Sequence, residues 1–185
     1  MTAQMPEKVL YQGSEYSLIL WEEDQLFTPE KYGMRPVMIH TACWRGYYVT
    51  YQLGEEGFIV QEFTVRLQED NYPVVEGVQP TLEEYQATYR EINLSVNYNG
   101  TLTLVRDMIP ERYVHMGIQG PDAFKVVLEF TLSDGKIIKM QDRSAEMEER
   151  RKSFPVNPLD PMSFMKSLQD SPLFKLSQEE KKEGQ

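Results

Sequence analysis

The chain has 185 residues, a formal net charge of −10 and one cysteine, a length that suits one domain with an appendage and can bury a core without disulfides or metals. One cysteine excludes a disulfide within the chain and any multi-cysteine zinc site, and no run of about 18 apolar residues offers a membrane-spanning helix. The opening stretch from Met1 to Tyr11 carries Gln4, Glu7 and Lys8 and lacks a signal-peptide core, so the expected location is cytoplasmic and the sequons at Asn93 and Asn99 read as chance matches.

In chain order, two-residue alternation marks half-buried strands. Tyr16-Ser17-Leu18-Ile19-Leu20-Trp21 reads as an early strand, and Pro29 with Gly33-Met34-Arg35-Pro36 punctuates a loop. Tyr47 to Leu53 and Phe58 to Leu67 are β-rich and joined by Gly54-Glu55-Glu56-Gly57, a four-residue hairpin loop. Asn71, Pro73, Gly77 and Pro80 mark a connection. Thr81-Leu82-Glu83-Glu84 then has the form of a capping box. It predicts a short helix from Leu82 to Tyr89, with Leu82, Tyr85 and Tyr89 as its buried stripe.

Asn99-Gly100, between Ile92–Tyr98 and Thr101–Met108, is the strongest hairpin signal, because Asn-Gly tolerates the positive φ values of a type I′ turn. A two-residue loop there would pair Val96 with Thr103 and put Leu94 and Val96 on the face opposite Leu102 and Leu104. A one-residue bulge is therefore expected to realign them. Phe124–Leu132 and Lys136–Met140 flank Ser133-Asp134-Gly135, where Leu132 opposite Ile137 needs no such adjustment.

These elements predict a mostly β fold (all-β or α+β), an antiparallel sandwich or partly closed barrel with one short helix. The antiparallel β domain is placed at residues 1–145 and a C-terminal tail at 146–185. In the tail, Ala145 to Lys152 favours helix, and Pro155, Pro158, Pro161 and Pro172 interrupt the residues beyond it. Met162, Phe164, Met165, Leu168, Leu173, Phe174 and Leu176 suit this tail to dock on the body, to meet a partner or to strap a homodimer. Ser177 to Gln185 are expected to be disordered.

The charge is unevenly spread. Residues 146–185 hold eight acidic and seven basic side chains, whereas residues 55–91 hold nine carboxylates against only Arg66 and Arg90. Such a field repels phosphate backbones and argues against nucleic-acid binding. It steers a cationic partner inward, and it equally serves solubility.

Thr41-Ala42-Cys43-Trp44-Arg45-Gly46-Tyr47 is the most distinctive string. A nucleophilic Cys43 would need a depressed pKa and a nearby base; His40 and Arg45 are close in sequence, but neighbouring strand residues face opposite sides. Cys43 beside Trp44 reads better as a small buried filler. Trp44, Arg45, Tyr47 and Tyr48 suit a recognition surface, since Trp, Tyr and Arg dominate interface hot spots, with Glu55, Glu56 and Glu62 as its acidic side. The competing reading is a core Trp44 with Arg45 stacked on it or paired with a carboxylate.

Tyr113-Val114-His115-Met116-Gly117 is the second unusual string and offers His115 as a base or ligand. His40 is the only other histidine, and no His-x-Glu, His-x-x-x-His or clustered Asp spacing supports a metal. A structural His115 is the plainer reading. Gly-x-Gly-x-x-Gly, Gly-Lys-Ser, Gly-Lys-Thr and Gly-x-Ser-x-Gly are absent, which argues against the familiar nucleotide and serine-hydrolase classes. No catalytic residue, metal or cofactor is assigned.

The two strings, in this order and with the strand–Asp-Gly–strand unit from Val126 to Arg143 after them, resemble a functionally uncharacterised bacterial protein family. The resemblance runs from about His40 to Arg143, and Tyr51 stands where the family pattern has Trp. It implies a bacterial, cytoplasmic protein and carries over no catalytic residue. Two functions fit these residues. One is a non-enzymatic protein-binding module, immunity-like or regulatory, that engages a cationic partner through an acidic face. The other is a small-molecule-binding β-cup or enzyme with Cys43, Arg45 and His115 at the mouth of its pocket.

Overall fold

Val9, Tyr16 and Leu18 point into one core from either side of Gln12-Gly13, whose φ values of 48° and 74° fit a type I′ turn. In the computed structural model this stretch forms β1 (Glu7–Tyr11) and β2 (Ser14–Leu20), with Tyr11 opposite Ser14. The structure describes residues 3–20, 26–69, 71–115 and 119–153. Trp21, Met116, Gly117 and residues 154–185 lie outside them, with the prolines Pro155 to Pro172, the apolar residues Met162 to Leu176 and the expected disorder of Ser177 to Gln185. After a single-turn 3-10 segment at Pro29–Tyr32 come β3 (Tyr47–Gly54) and β4 (Gly57–Val65), and Gly54 opposite Gly57 leaves Glu55-Glu56 as the loop.

Phe58 and Val60 have the opposite parity from Phe63 and Val65, yet all four are buried in one core. A bulge reconciles them: Thr50 pairs with Glu62 but Tyr51 pairs with Val60, so Gln61 is the extra residue. Next come β5 (Thr81–Leu82), β6 (Ala87–Tyr89), β7 (Leu94–Ser95), β8 (Gly100–Met108), β9 (Phe124–Ser133), β10 (Lys136–Asp142) and α1 (Ser144–Ser153).

The fold is mostly β, as expected. Its ten strands form one sheet in the order β10-β9-β8-β2-β1-β3-β4-β6-β5, with β7 added on β4. The sheet is mixed rather than purely antiparallel, because β1 runs parallel to β3. It is not closed into a barrel. Curvature nevertheless brings the Tyr11 and Phe130 rings, three strands apart, to 4.8 Å, and the β9–β10 turn rests on the backbone at Val96 and Tyr98.

Two local expectations are corrected. No helix forms between Leu82 and Tyr89: the stretch is the β5–β6 hairpin, with the Glu83 N–H donating to the Gln86 carbonyl at 2.8 Å. Tyr89 stacks on Phe63 at 4.4 Å, and the Thr64 and Thr88 hydroxyls share a hydrogen bond of 2.9 Å. Pairing with β4 outweighs the local capping signal, and Leu82 and Tyr85 are left in solvent. Nor is Asn99-Gly100 a hairpin turn. β7 pairs with β4, β8 pairs with β2 and β9, and the Asn99 side chain instead accepts the Asp134 N–H at 2.8 Å. The expected Leu132–Ile137 register is present.

One face of the sheet carries the main core. The other, at β2, β8 and β9, buries Ile19, Val105, Phe124 and Val127 beneath Met147 of α1. Arg143 reaches Glu129 at 2.9 Å, the Ser144 N–H donates to Asp142, and Arg151 donates to the Phe124 carbonyl at 2.8 Å. Residues 146–153, placed in the tail by sequence, are thus part of a helix docked on the body. No described helix is long and apolar enough to cross a membrane.

Candidate functional site

Glu7 shares the inward parity of Val9 on β1, so strand alternation alone drives a carboxylate into the core. Parallel pairing sets β1 beside β3, and the Thr41–Gly46 loop enters β3 next to Glu7. Arg45 Nη2 lies 3.0 Å from Glu7 Oε1; the other carboxylate oxygen accepts the Val49 N–H. Arg45 also donates to the carbonyls of Tyr47 (2.7 Å) and Met5 (3.2 Å), and its guanidinium lies 5.5 Å from the Tyr47 ring centre. The loop is fastened elsewhere too. The Met5 N–H donates to the Ala42 carbonyl, and Gln4 bridges the Thr41 carbonyl and the Trp44 N–H. Gly46, at φ 80°, admits no side chain, since a Cβ there would meet the Val37 carbonyl at 2.5 Å.

Burial pushes the Glu7 carboxyl from its usual 4.5 up to about 7, against the lowering pull of Arg45 and the Val49 N–H. Burial, with Glu7 and Glu30 nearby, pushes Tyr47 up to about 12. Burial raises Cys43 as well, and its thiol donates to the Tyr47 carbonyl at 3.3 Å. A buried thiol held protonated is the reverse of an activated nucleophile.

Between the two inward side chains of Cys43 and Arg45, Trp44 is 51% exposed. The core-Trp reading of the sequence is thereby overturned, and Arg45 stacks on Tyr47 rather than on Trp44. Hydrogen bonds link the loop that carries Trp44 to residues beside other exposed apolar groups. The Cys43 carbonyl accepts the Ile39 N–H, the Met38 carbonyl accepts from Arg66 at 3.1 Å, and the Arg66 guanidinium lies 5.9 Å from the Tyr85 ring centre. Met38, Tyr85 and Leu82 are all exposed.

The remaining predicted residues scatter. Tyr48 and Glu62 share the outer face of β3 and β4, where Glu62 pairs with Arg90 at 3.2 Å. Glu55 and Glu56 occupy the far tip of that hairpin, about 20 Å from Trp44 at the usual strand rise. His115 is exposed on the segment after β8, its ring edge-on to Tyr113 at 5.0 Å. Two surface cavities of about 410 and 420 Å³ are lined by none of Cys43, Arg45 and His115. No cluster of three or more potential metal ligands exists among the described residues. Sequence reasoning missed Glu7, although its inward parity with Val9 was the available signal, and it missed the Met38–Tyr85 patch, which has none.

No family model, curated protein or solved structure matches the chain. The family resemblance therefore rests on the sequence strings alone.

One pH dependence arises from Glu7. Its folded-state pKa is raised, so the stability it contributes is full below about 4.5 and is lost as pH rises through about 7. Urea unfolding of the native chain should lose about 3 kcal/mol across that window relative to Glu7→Gln. Parallel pH profiles for the two proteins would contradict this assignment.

Proposed function

We propose that the chain is a non-enzymatic protein-binding module that engages a basic partner through a surface centred on Trp44. The observation that carries this reading is a half-exposed tryptophan whose two neighbours are locked inward, one of them by a buried ion pair. Keeping such an anchor rigid lowers the entropy lost on binding, and a Trp flanked by other apolar groups is the usual centre of an interface. Met38, Tyr85 and Leu82 extend the apolar surface, and of the exposed β5–β6 turn carboxylates Glu84 supplies negative charge beside it while Glu83 is partly matched by Arg90 at 4.0 Å. Charge of that sign favours Lys- and Arg-bearing partners by raising association rates. Glu55 and Glu56, at the opposite end of β3, belong to a separate patch.

Selection from a random peptide-display library tests this reading. Enriched peptides should combine Lys or Arg with apolar residues, and Trp44→Ala should weaken them about tenfold or more with its melting temperature unchanged. The double substitution Glu83→Lys with Glu84→Lys should slow association and reduce its salt dependence. Neutral or acidic winners, or peptides indifferent to Trp44→Ala, would remove the basis for the proposal.

A further inference from the structure

At the end of β8, Arg106 and Asp107 are consecutive residues that both line the 420 Å³ cavity. Regular strand geometry would send them to opposite faces. Asp107 has a φ of 60°, a left-handed conformation that Asp tolerates and that breaks the strand alternation beside Arg106.

The cavity is also lined by Met5, Pro6, Met108, Tyr113, Gln119 and Phe124. The Tyr113–Gln119 segment is pinned by reciprocal bonds: the Val114 N–H donates to Gln119 at 2.8 Å and the Gln119 amide donates back to the Val114 carbonyl at 2.6 Å. Arg106 lies over the Tyr16 ring, its guanidinium 5.1 Å from the ring centre. Glu15, also at the cavity, is matched by Lys8 at 3.1 Å. The remaining pair, Arg106 and Asp107, meets only at 3.5 Å from Nε, with both side chains more than a third exposed. The site therefore offers one guanidinium edge, one carboxylate and an apolar wall. Its volume falls within the usual small-molecule range of about 300–1,000 Å³.

We propose that this cavity binds a free α-amino acid with an apolar side chain. The ligand's carboxylate meets the Arg106 guanidinium, its ammonium meets the Asp107 carboxylate, and its side chain lies against Met5, Tyr113 and Phe124. A zwitterion satisfies both charges at once, whereas a plain acid leaves Asp107 facing an anion and a plain amine leaves Arg106 facing a cation. The site is distinct from the Trp44 surface but borders it, since Gln4 and Met5 line the cavity and also fasten the Thr41–Gly46 loop.

The test is an amide-resonance titration of the full chain with L-phenylalanine, L-leucine, 3-phenylpropionate and phenethylamine. The two amino acids should shift Arg106, Met108 and Tyr113, and each truncated analogue should bind about tenfold more weakly or worse. Arg106→Gln should weaken phenylalanine to a similar extent, and Asp107→Asn should abolish the preference for phenylalanine over 3-phenylpropionate. If Arg106→Gln fails to fold, the ligand series and Asp107→Asn decide alone. Absence of saturable shifts with either amino acid, or 3-phenylpropionate binding as tightly as phenylalanine, overturns the proposal.

Discussion

Replacing Arg45 by methionine is expected to lower the unfolding free energy by about 3 kcal/mol at pH 8 but by only about 1 kcal/mol at pH 5. At the higher pH Glu7 is ionised and 5% exposed, and Arg45 is the cation that faces it. Removing one member of such a pair leaves an uncompensated buried charge, which costs far more than the pair itself contributes. At pH 5 Glu7 already holds a proton, so the loss shrinks to the two hydrogen bonds from Arg45 to the Met5 and Tyr47 carbonyls. Urea melts of the native chain, Arg45→Met and the double variant with Glu7→Gln, each at both pH values, check this. The double variant should be the more stable of the two mutants at pH 8. Equal losses at both pH values for Arg45→Met would show that Glu7 does not carry the effect. The same lock sets the position of Trp44, so the indole surface should loosen in Arg45→Met before the chain unfolds.

Gly135→Ala is expected to destabilise by about 3 kcal/mol, the sum of a left-handed conformation and a collision. Asp134 and Gly135 have φ values of 49° and 74°, the pattern of a type I′ turn. Any Cβ at Gly135 would collide with the Val96 carbonyl, and a backbone atom cannot swing aside as a side chain would. Gly77→Ala provides the control: φ is 82° there and a Cβ would meet nothing within 4 Å, so only about 1 kcal/mol should be lost. The difference between the two measures how tightly the β9–β10 tip is pressed against the segment after β7. Equal losses would mean that this contact does not hold the curled ends of the sheet together.

The false and true turn signals in this chain separate for a physical reason. Asp134-Gly135 joins strands that pair with each other, and Leu132 and Ile137 fall on one face without a bulge. Asn99-Gly100 has equally favourable turn chemistry, but a tight hairpin there would have divided Leu94 and Val96 from Leu102 and Leu104. The chain resolves that conflict by giving β7 to β4 and β8 to β2 and β9. Facial parity was the better guide than the dipeptide. The capping-box misreading has a similar origin: Thr88 and Tyr89 are β-formers whose partners, Thr64 and Phe63, lie on another strand.

By itself the sequence determined the mostly β class, the β3–β4 and β9–β10 hairpins, the helix-forming run after Arg143 and the inward placement of Cys43. Each depends on period-two alternation, turn residues or side-chain size within a few positions. Only the tertiary structure decided that β1 runs parallel to β3, that Glu7 meets Arg45, that Trp44 faces solvent and that Asp107 turns beside Arg106 into a cavity. The first three depend on contacts between segments some 40 residues apart, such as Gln4 with Trp44 and Glu7 with Val49. Local patterns carry no record of which strands become neighbours, and those neighbours decide whether a carboxylate is buried or an indole is left in water.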